Sequence, residues 1–234
     1  MKTRLLLTAV LIAVASTMSL HAQYFTVGPE VGYERANLHA ASDEASGRMS
    51  AKSGNGFRIG AVASYHFKSG LFLHAGLSYS HRESAAVYGT DGVGSLPFVK
   101  DVKIRNMEFL TLPVTVGYEI GLAHGWAVSV EAGAYVGAGL GNGSVMFTNS
   151  DGEGNAGSLF GKSEFTHYDT STGRREPVTI DGSDRIDAGF AFGGNVRFRS
   201  VRLRALYQLG LNKTIYDIAA PRTFVLSLCY DFRL

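Results

Sequence analysis

From residue 25 to the end, apolar residues recur at every second position in eight separate segments. In Phe57 to Phe67 one face reads Phe57, Ile59, Ala61, Ala63, Tyr65, Phe67, and the other Arg58, Gly60, Val62, Ser64, His66. Leu71 to His81 sets Leu71, Leu73, Ala75, Leu77 and Tyr79 against Phe72, His74, Gly76, Ser78 and Ser80. The same period runs through residues 25–33, 109–118, 126–140, 188–198, 201–211 and 224–234. A period of two is the mark of a strand with two unlike faces, and no long segment repeats at the i, i+3, i+4, i+7 spacing of a helix. The pattern predicts eight strands.

The links alternate in length. Short ones fall at 68–70, 121–125 and 199–200, and long ones at 38–54, 82–103, 141–184 and 212–221. Transmembrane β-barrels alternate short periplasmic turns with long outside loops, and an even strand count returns both termini to one side. Each strand also meets the ~9–11 residues that a tilted span requires. The expected fold is all-β, an eight-stranded antiparallel transmembrane β-barrel.

A soluble barrel would bury the apolar face and wet the other. The second face here is rich in Gly, Ser and Ala with a few long charged groups, which suits a narrow packed lumen. Only 7 Lys occur in the whole chain, few for a solvent-facing sheet. Aromatic residues near the strand ends form two expected belts at the membrane interfaces. Phe25, Phe67, Tyr118, Trp126, Phe198 and Phe232 make the periplasmic girdle; Tyr33, Tyr79, Phe190 and Phe224 sit toward the other ends.

The start of the chain reads differently. Lys2 and Arg4 precede the apolar stretch 5–15, and Leu20-His21-Ala22 offers a small residue before Gln23. This is the layout of a secretory signal peptide, so residues 1–22 are expected to be removed and residues 23–234 to form the barrel domain in the outer membrane of a Gram-negative cell. The charge then changes meaning. The formal +2 belongs to Lys2 and Arg4, and the remaining 20 basic and 20 acidic residues balance. A neutral mature chain gives no basic patch for nucleic acid.

Phe109-Leu110-Thr111-Leu112-Pro113-Val114-Thr115-Val116-Gly117-Tyr118, followed by Gly133-Ala134-Tyr135-Val136-Gly137-Ala138, resembles the PorT-like outer-membrane β-barrel family of Bacteroidetes, among the small OmpX- and OmpA-like barrels. Thr111 stands where that family has Glu. The resemblance implies a fold and a location; the family's roles are mixed, with one branch serving protein secretion.

Composition excludes other classes. Glycine is about 12% of residues without a three-residue period, which excludes collagen, and 45% hydrophobic with 18% charged excludes disorder. One Cys allows neither an intrachain disulfide nor a Cys-rich zinc site.

Candidate chemistry lies mostly inside. Glu30, Glu34, Arg58, Glu131, Asp187, Arg197, Arg202, Arg204 and Asp231 are all expected to face the lumen. An eight-stranded barrel is just wide enough for side chains to fill it, so these charges should pair into a plug rather than line a channel. Glu30 and Glu131 are each expected to find an arginine among Arg58, Arg197 and Arg204. His66 and His74 also face inward, as hydrogen-bonded lumen residues, and Cys229 as packing. Ser80, His81 and Glu83 could form a hydrolytic cluster, but no nucleophile elbow accompanies them and no catalytic residue is expected. The glycines of residues 152–157 mimic a dinucleotide loop without its strand and helix, and residues 149–155 resemble a calcium loop without its closing Glu. No cofactor or resident metal is expected. The functions in view are a structural or interaction barrel, with secretion or envelope assembly as candidate settings, and a small pore or a lipid-modifying enzyme as alternatives. Expected partners are membrane lipid and a protein docking on the 141–180 loop, with the barrel itself a monomer.

Overall fold

A computed structural model describes residues 22–40, 49–89, 99–149, 154–169, 173–211 and 219–234. Of the expected signal peptide, residues 1–22, residues 1–21 lie outside this set and Ala22 opens β1. The elements are β1 (Ala22–Ala40), β2 (Met49–Lys52), β3 (Gly54–Phe67), β4 (Leu71–Gly89), β5 (Val99–Gly121), β6 (Trp126–Leu140), β7 (Ser144–Asn149), β8 (Gly154–Gly157), β9 (Ser163–Asp169), β10 (Arg174–Ile180), β11 (Ile186–Phe198), β12 (Val201–Gly210), β13 (Ala219–Tyr230) and β14 (Phe232–Arg233).

Eight of these close a ring. β1 pairs with β3, β3 with β4, β4 with β5, β5 with β6, β6 with β11, β11 with β12, β12 with β13, and β13 returns to β1, every pair antiparallel. Closure leaves no barrel strand with an open edge, the only strand arrangement that satisfies every backbone group in lipid. All eight strands coincide with the alternating segments.

The barrel is inside out relative to a soluble protein. Val31, Ile59, Leu77, Val130 (69% exposed) and Leu228 cover its outer wall, while Glu30, Glu34, Arg58, Arg204 and Gln208 are fully buried within. The small apolar cluster of Tyr135, Ala191, Leu206 and Val225 shares the lumen with them. No helix among the described residues is long and apolar enough to cross a membrane; the spans are strands.

Two prolines mark local breaks. Pro113 has no N–H to give, and the β4–β5 ladder is interrupted where Gly76 and Leu77 pass Pro113 and Leu112, as it is again between Arg82↔Met107 and Ser84↔Arg105. Pro29 stands beside Tyr230 in register, and there the last strand divides into β13 and β14 while Thr26↔Arg233 and Val27↔Phe232 keep the same register. At one tight turn Gly70 takes φ +89°, and its N–H donates to the Phe67 carbonyl at 3.2 Å.

The long-loop end corrects the expectation of simple loops. Residues 82–103 were expected to be a link, but β4 and β5 remain paired as far as Tyr88↔Asp101. At 19 and 23 residues these strands far exceed a ~9–11-residue span, so they project beyond the bilayer. The expected loop 141–184 is largely strand. β7 pairs with β5 and β8 with β7, while β9 and β10 form a separate two-stranded hairpin. Gly154–Gly157, part of the dinucleotide-like glycine run, is therefore a sheet strand rather than a phosphate-binding turn. Residues 150–153, central to the calcium-like pattern, lie outside the described residues.

This extension has its own core. At Asn106, with φ +52°, the buried positions of β5 switch from Val102 and Ile104 to Met107 and Phe109. Val102 and Ile104 face Phe147 and Val145 across the β5–β7 pair, and Leu159 and Phe160 are buried with them. Apolar residues with no bilayer around them are thus covered by their own loop.

Candidate functional site

Each inward position of a strand is fixed by the pleat, so the lumen charges stack in tiers along the barrel axis. At the long-loop end, Glu34 of β1 lies between two arginines. Arg58 of β3 donates Nε to one carboxylate oxygen at 2.5 Å, and Arg82 of β4 donates Nε to the other at 3.1 Å. Arg58 also donates Nη2 to Gln208 at 3.1 Å. Asp187 accepts the Tyr135 hydroxyl at 3.1–3.2 Å instead of meeting an arginine.

The middle tier is built on Glu131 of β6. Arg204 of β12 donates Nε and Nη2 to its two oxygens at 2.7 and 2.8 Å, Asn195 donates at 3.1 Å, and the Thr115 hydroxyl donates as well. Glu30 accepts the Ser227 hydroxyl at 2.6 Å and lies 3.8 Å from Arg204 Nη1, so one guanidinium serves two carboxylates.

Nearer the short turns, Arg202 donates to Asp231 at 2.8 Å and to His74 Nδ1 at 3.2 Å. Ser64 is also within hydrogen-bond reach of that nitrogen, at 2.9 Å. Arg197 holds Glu119 through two bonds, at 2.6 and 3.0 Å. All nine residues of the expected lumen network thus point inward. Of the three arginines considered for Glu30 and Glu131, only Arg204 reaches them; Arg58 goes to Glu34 and Arg197 to Glu119.

Two members of the network were not foreseen, Arg82 and Glu119. Each occupies the next inward position beyond the segment read as strand, after Ser80 and after Gly117. The alternation itself carried the signal.

The girdle residues Phe25, Tyr118, Trp126, Phe198 and Phe232 are exposed on the outer wall at the short-turn end, with Phe67 partly covered against Tyr65. Trp126 packs on Phe198 with ring centroids 4.7 Å apart.

Both ends of the lumen are obstructed. At the long-loop end Arg82 lies over the Phe109 ring, Phe160 meets Phe109 edge-on at 5.7 Å, and Arg185 covers Phe160. At the other end Arg233 lies over Tyr24, which stacks on His66 at 4.4 Å, which in turn stacks on Phe72 at 5.6 Å.

The Ser80–His81–Glu83 cluster does not assemble. Ser80 is buried in the lumen, while His81 is on the outer wall beside Phe57 and 3.7 Å from Glu108. His66 and His74 are separate lumen residues, and no group of three metal-ligating side chains occurs among the described residues. Cys229 is buried and free.

Among the solved structures similar to this chain are outer-membrane barrels of low identity. The attachment invasion locus protein Ail of Yersinia pestis, solved with the heparin analogue sucrose octasulfate, is 15% identical, covering 90% of this chain and 100% of its own, at a TM-score of 0.39. Neisserial surface protein A is 12% identical over 91% and 99%, at 0.42. OprG of Pseudomonas aeruginosa is 10% identical over 91% and 98%, at 0.41. A comparison with curated proteins finds no match. The family model described as an outer membrane protein beta-barrel domain matches residues 15–216, and the chain belongs to that family.

Proposed function

We propose that this barrel is a non-enzymatic outer-membrane protein that keeps its lumen closed and offers its folded long-loop end to a protein partner. The observation that carries the reading is the tiered ion-pair network, in which Glu34, Glu131, Asp231 and Glu119 are each held by an arginine across a lumen too narrow to leave a path. Charges so placed fix strand register and orientation, and breaking one pair leaves an uncompensated charge inside.

Short turns then face the periplasm and the β4–β5–β7–β8 sheet faces outward. A platform with its own apolar core suits a partner surface better than a loose loop would. The separate β9–β10 hairpin within residues 141–180 is the segment of this end proposed to meet a partner. The motifs at 109–118 and 133–138 support a place among PorT-like barrels of Bacteroidetes, with secretion or envelope assembly as the setting. Removal of residues 1–22 on export and a monomeric barrel complete the proposal.

Planar-bilayer recording tests it. A sealed barrel gives no stable stepwise current, and reproducible unitary steps from the purified, folded protein would replace this reading with a small pore. An altered lipid A mass profile in a deletion strain would instead favour a lipid-modifying enzyme.

A further inference from the structure

At the short-turn end a cavity of about 430 Å³ opens between Thr26, Arg197, Ser200, Asp231 and Arg233. Its charges are unevenly matched. Glu119 occupies Arg197, and Arg202 occupies Asp231 at 2.8 Å. Arg233 makes no ion pair among the described residues; its guanidinium lies 4.3 Å over the Tyr24 ring, a contact that uses the ring face and leaves the N–H groups without a carboxylate partner. Thr26 lines the same cavity, is 96% buried, and its hydroxyl has no hydrogen-bond partner among the described residues. A buried hydroxyl without a partner is costly, and one lining a polar cavity is placed to be satisfied by a ligand bound there.

The turn beside the cavity carries a further arginine. Arg199 takes φ +54° in the two-residue link between β11 and β12, a conformation that favours Gly or Asn. Its guanidinium lies 5.2 Å over the Phe198 ring, on the girdle side of the mouth. Uncompensated guanidinium, a free hydroxyl and a polar cavity together are the chemistry of an oxyanion site.

We propose that this mouth binds a phosphate group, from a lipid headgroup of the adjoining leaflet or from a small phosphate in solution, with Arg233 and Thr26 as its principal donors. The site is independent of whatever the long-loop end engages.

The test uses the full barrel folded in a phosphate-free glycoside detergent, with backbone and arginine side-chain NMR shifts followed against inorganic phosphate, glycerol phosphate and short-chain phosphatidylglycerol. The expected result is saturable shifts confined to residues near 24–26, 197–200 and 231–234. Arg233→Gln should weaken binding at least tenfold and Thr26→Val several-fold, while Arg35→Gln, exposed toward the far end of β1, changes nothing. Tighter binding of the lipid than of the two soluble phosphates assigns the site to a headgroup, and the reverse assigns it to a free phosphate. Absence of saturable shifts with all three probes would overturn the proposal, as would shifts that persist in Arg233→Gln. Thr26→Val leaves every hydrogen bond within the protein intact, so it decides the matter should the arginine variant fail to fold.

Discussion

Arg204 donates from Nε and Nη2 to the two oxygens of Glu131, at 2.7 and 2.8 Å, with both side chains wholly buried. The pair joins β6 to β12 across the lumen. These strands are not neighbours, since β11 lies between them. Removing one member of such a pair costs about 3–5 kcal/mol, because the other charge stays buried without its partner. Glu131→Gln should therefore lower the midpoint of the heat-induced gel shift from folded to unfolded barrel. Arg204→Met should lower it further, because it also strips Glu30 of its nearest guanidinium. The double variant should cost less than the two single changes together. An unchanged midpoint in Glu131→Gln would remove the plug argument.

Glu34 gives a graded version of the same test. Its two oxygens are held separately, by Arg58 at 2.5 Å and Arg82 at 3.1 Å. Arg82→Met leaves Glu34 with Arg58, whereas Glu34→Gln leaves two guanidiniums facing each other. Urea midpoints should rank wild type above Arg82→Met, and Arg82→Met well above Glu34→Gln. Equal losses would mean that Arg82 contributes as much by lying over Phe109 as by its charge.

The strands were legible because lipid on one side and a packed lumen on the other impose a strict period of two. The lumen set followed from the same rule, and its two omissions, Arg82 and Glu119, came from ending segments at His81 and Tyr118 where the apolar face faded. Pairing was less legible. Which arginine meets which carboxylate depends on how far each strand is staggered around the ring, and periodicity along one strand does not contain that. The outer sheet was hidden for another reason. The backbone irregularity at Asn106 reverses the buried face of β5, so residues 99–108 read as an aperiodic stretch.

That hidden sheet depends on Phe160. Its ring occupies the space beside Gly139 that a side chain there would need, and it meets Phe109 at the top of the lumen. Phe160→Ala removes the ring contact that helps tie residues 158–161 to the barrel, alongside the hydrogen bonds to Asn142. Large-to-small changes at buried aromatics cost about 3–5 kcal/mol, here borne by the outer sheet and not by the spans. Limited proteolysis of intact cells or proteoliposomes should show faster cleavage within residues 141–184, with the gel-shift midpoint nearly unchanged. A midpoint that falls along with faster cleavage would show the cap and barrel to be one cooperative unit.

The girdle assignment can be read from one residue, because Trp126 is the chain's sole tryptophan. It is 45% exposed on the outer wall at the short-turn end and leans on Phe198. Indole rings favour the headgroup region, where the ring body is shielded and the N–H can still find a polar partner. In proteoliposomes its emission should be quenched more strongly by lipids carrying a nitroxide near the headgroup than by lipids carrying it near the chain terminus. Phe198→Ala should leave that depth order intact while shifting the emission maximum, since the neighbouring ring and not the depth would have changed. Stronger quenching from the chain terminus would place Trp126 in the bilayer centre. The membrane would then have to sit along the strands farther from the long-loop end, and the short turns could no longer lie at its surface.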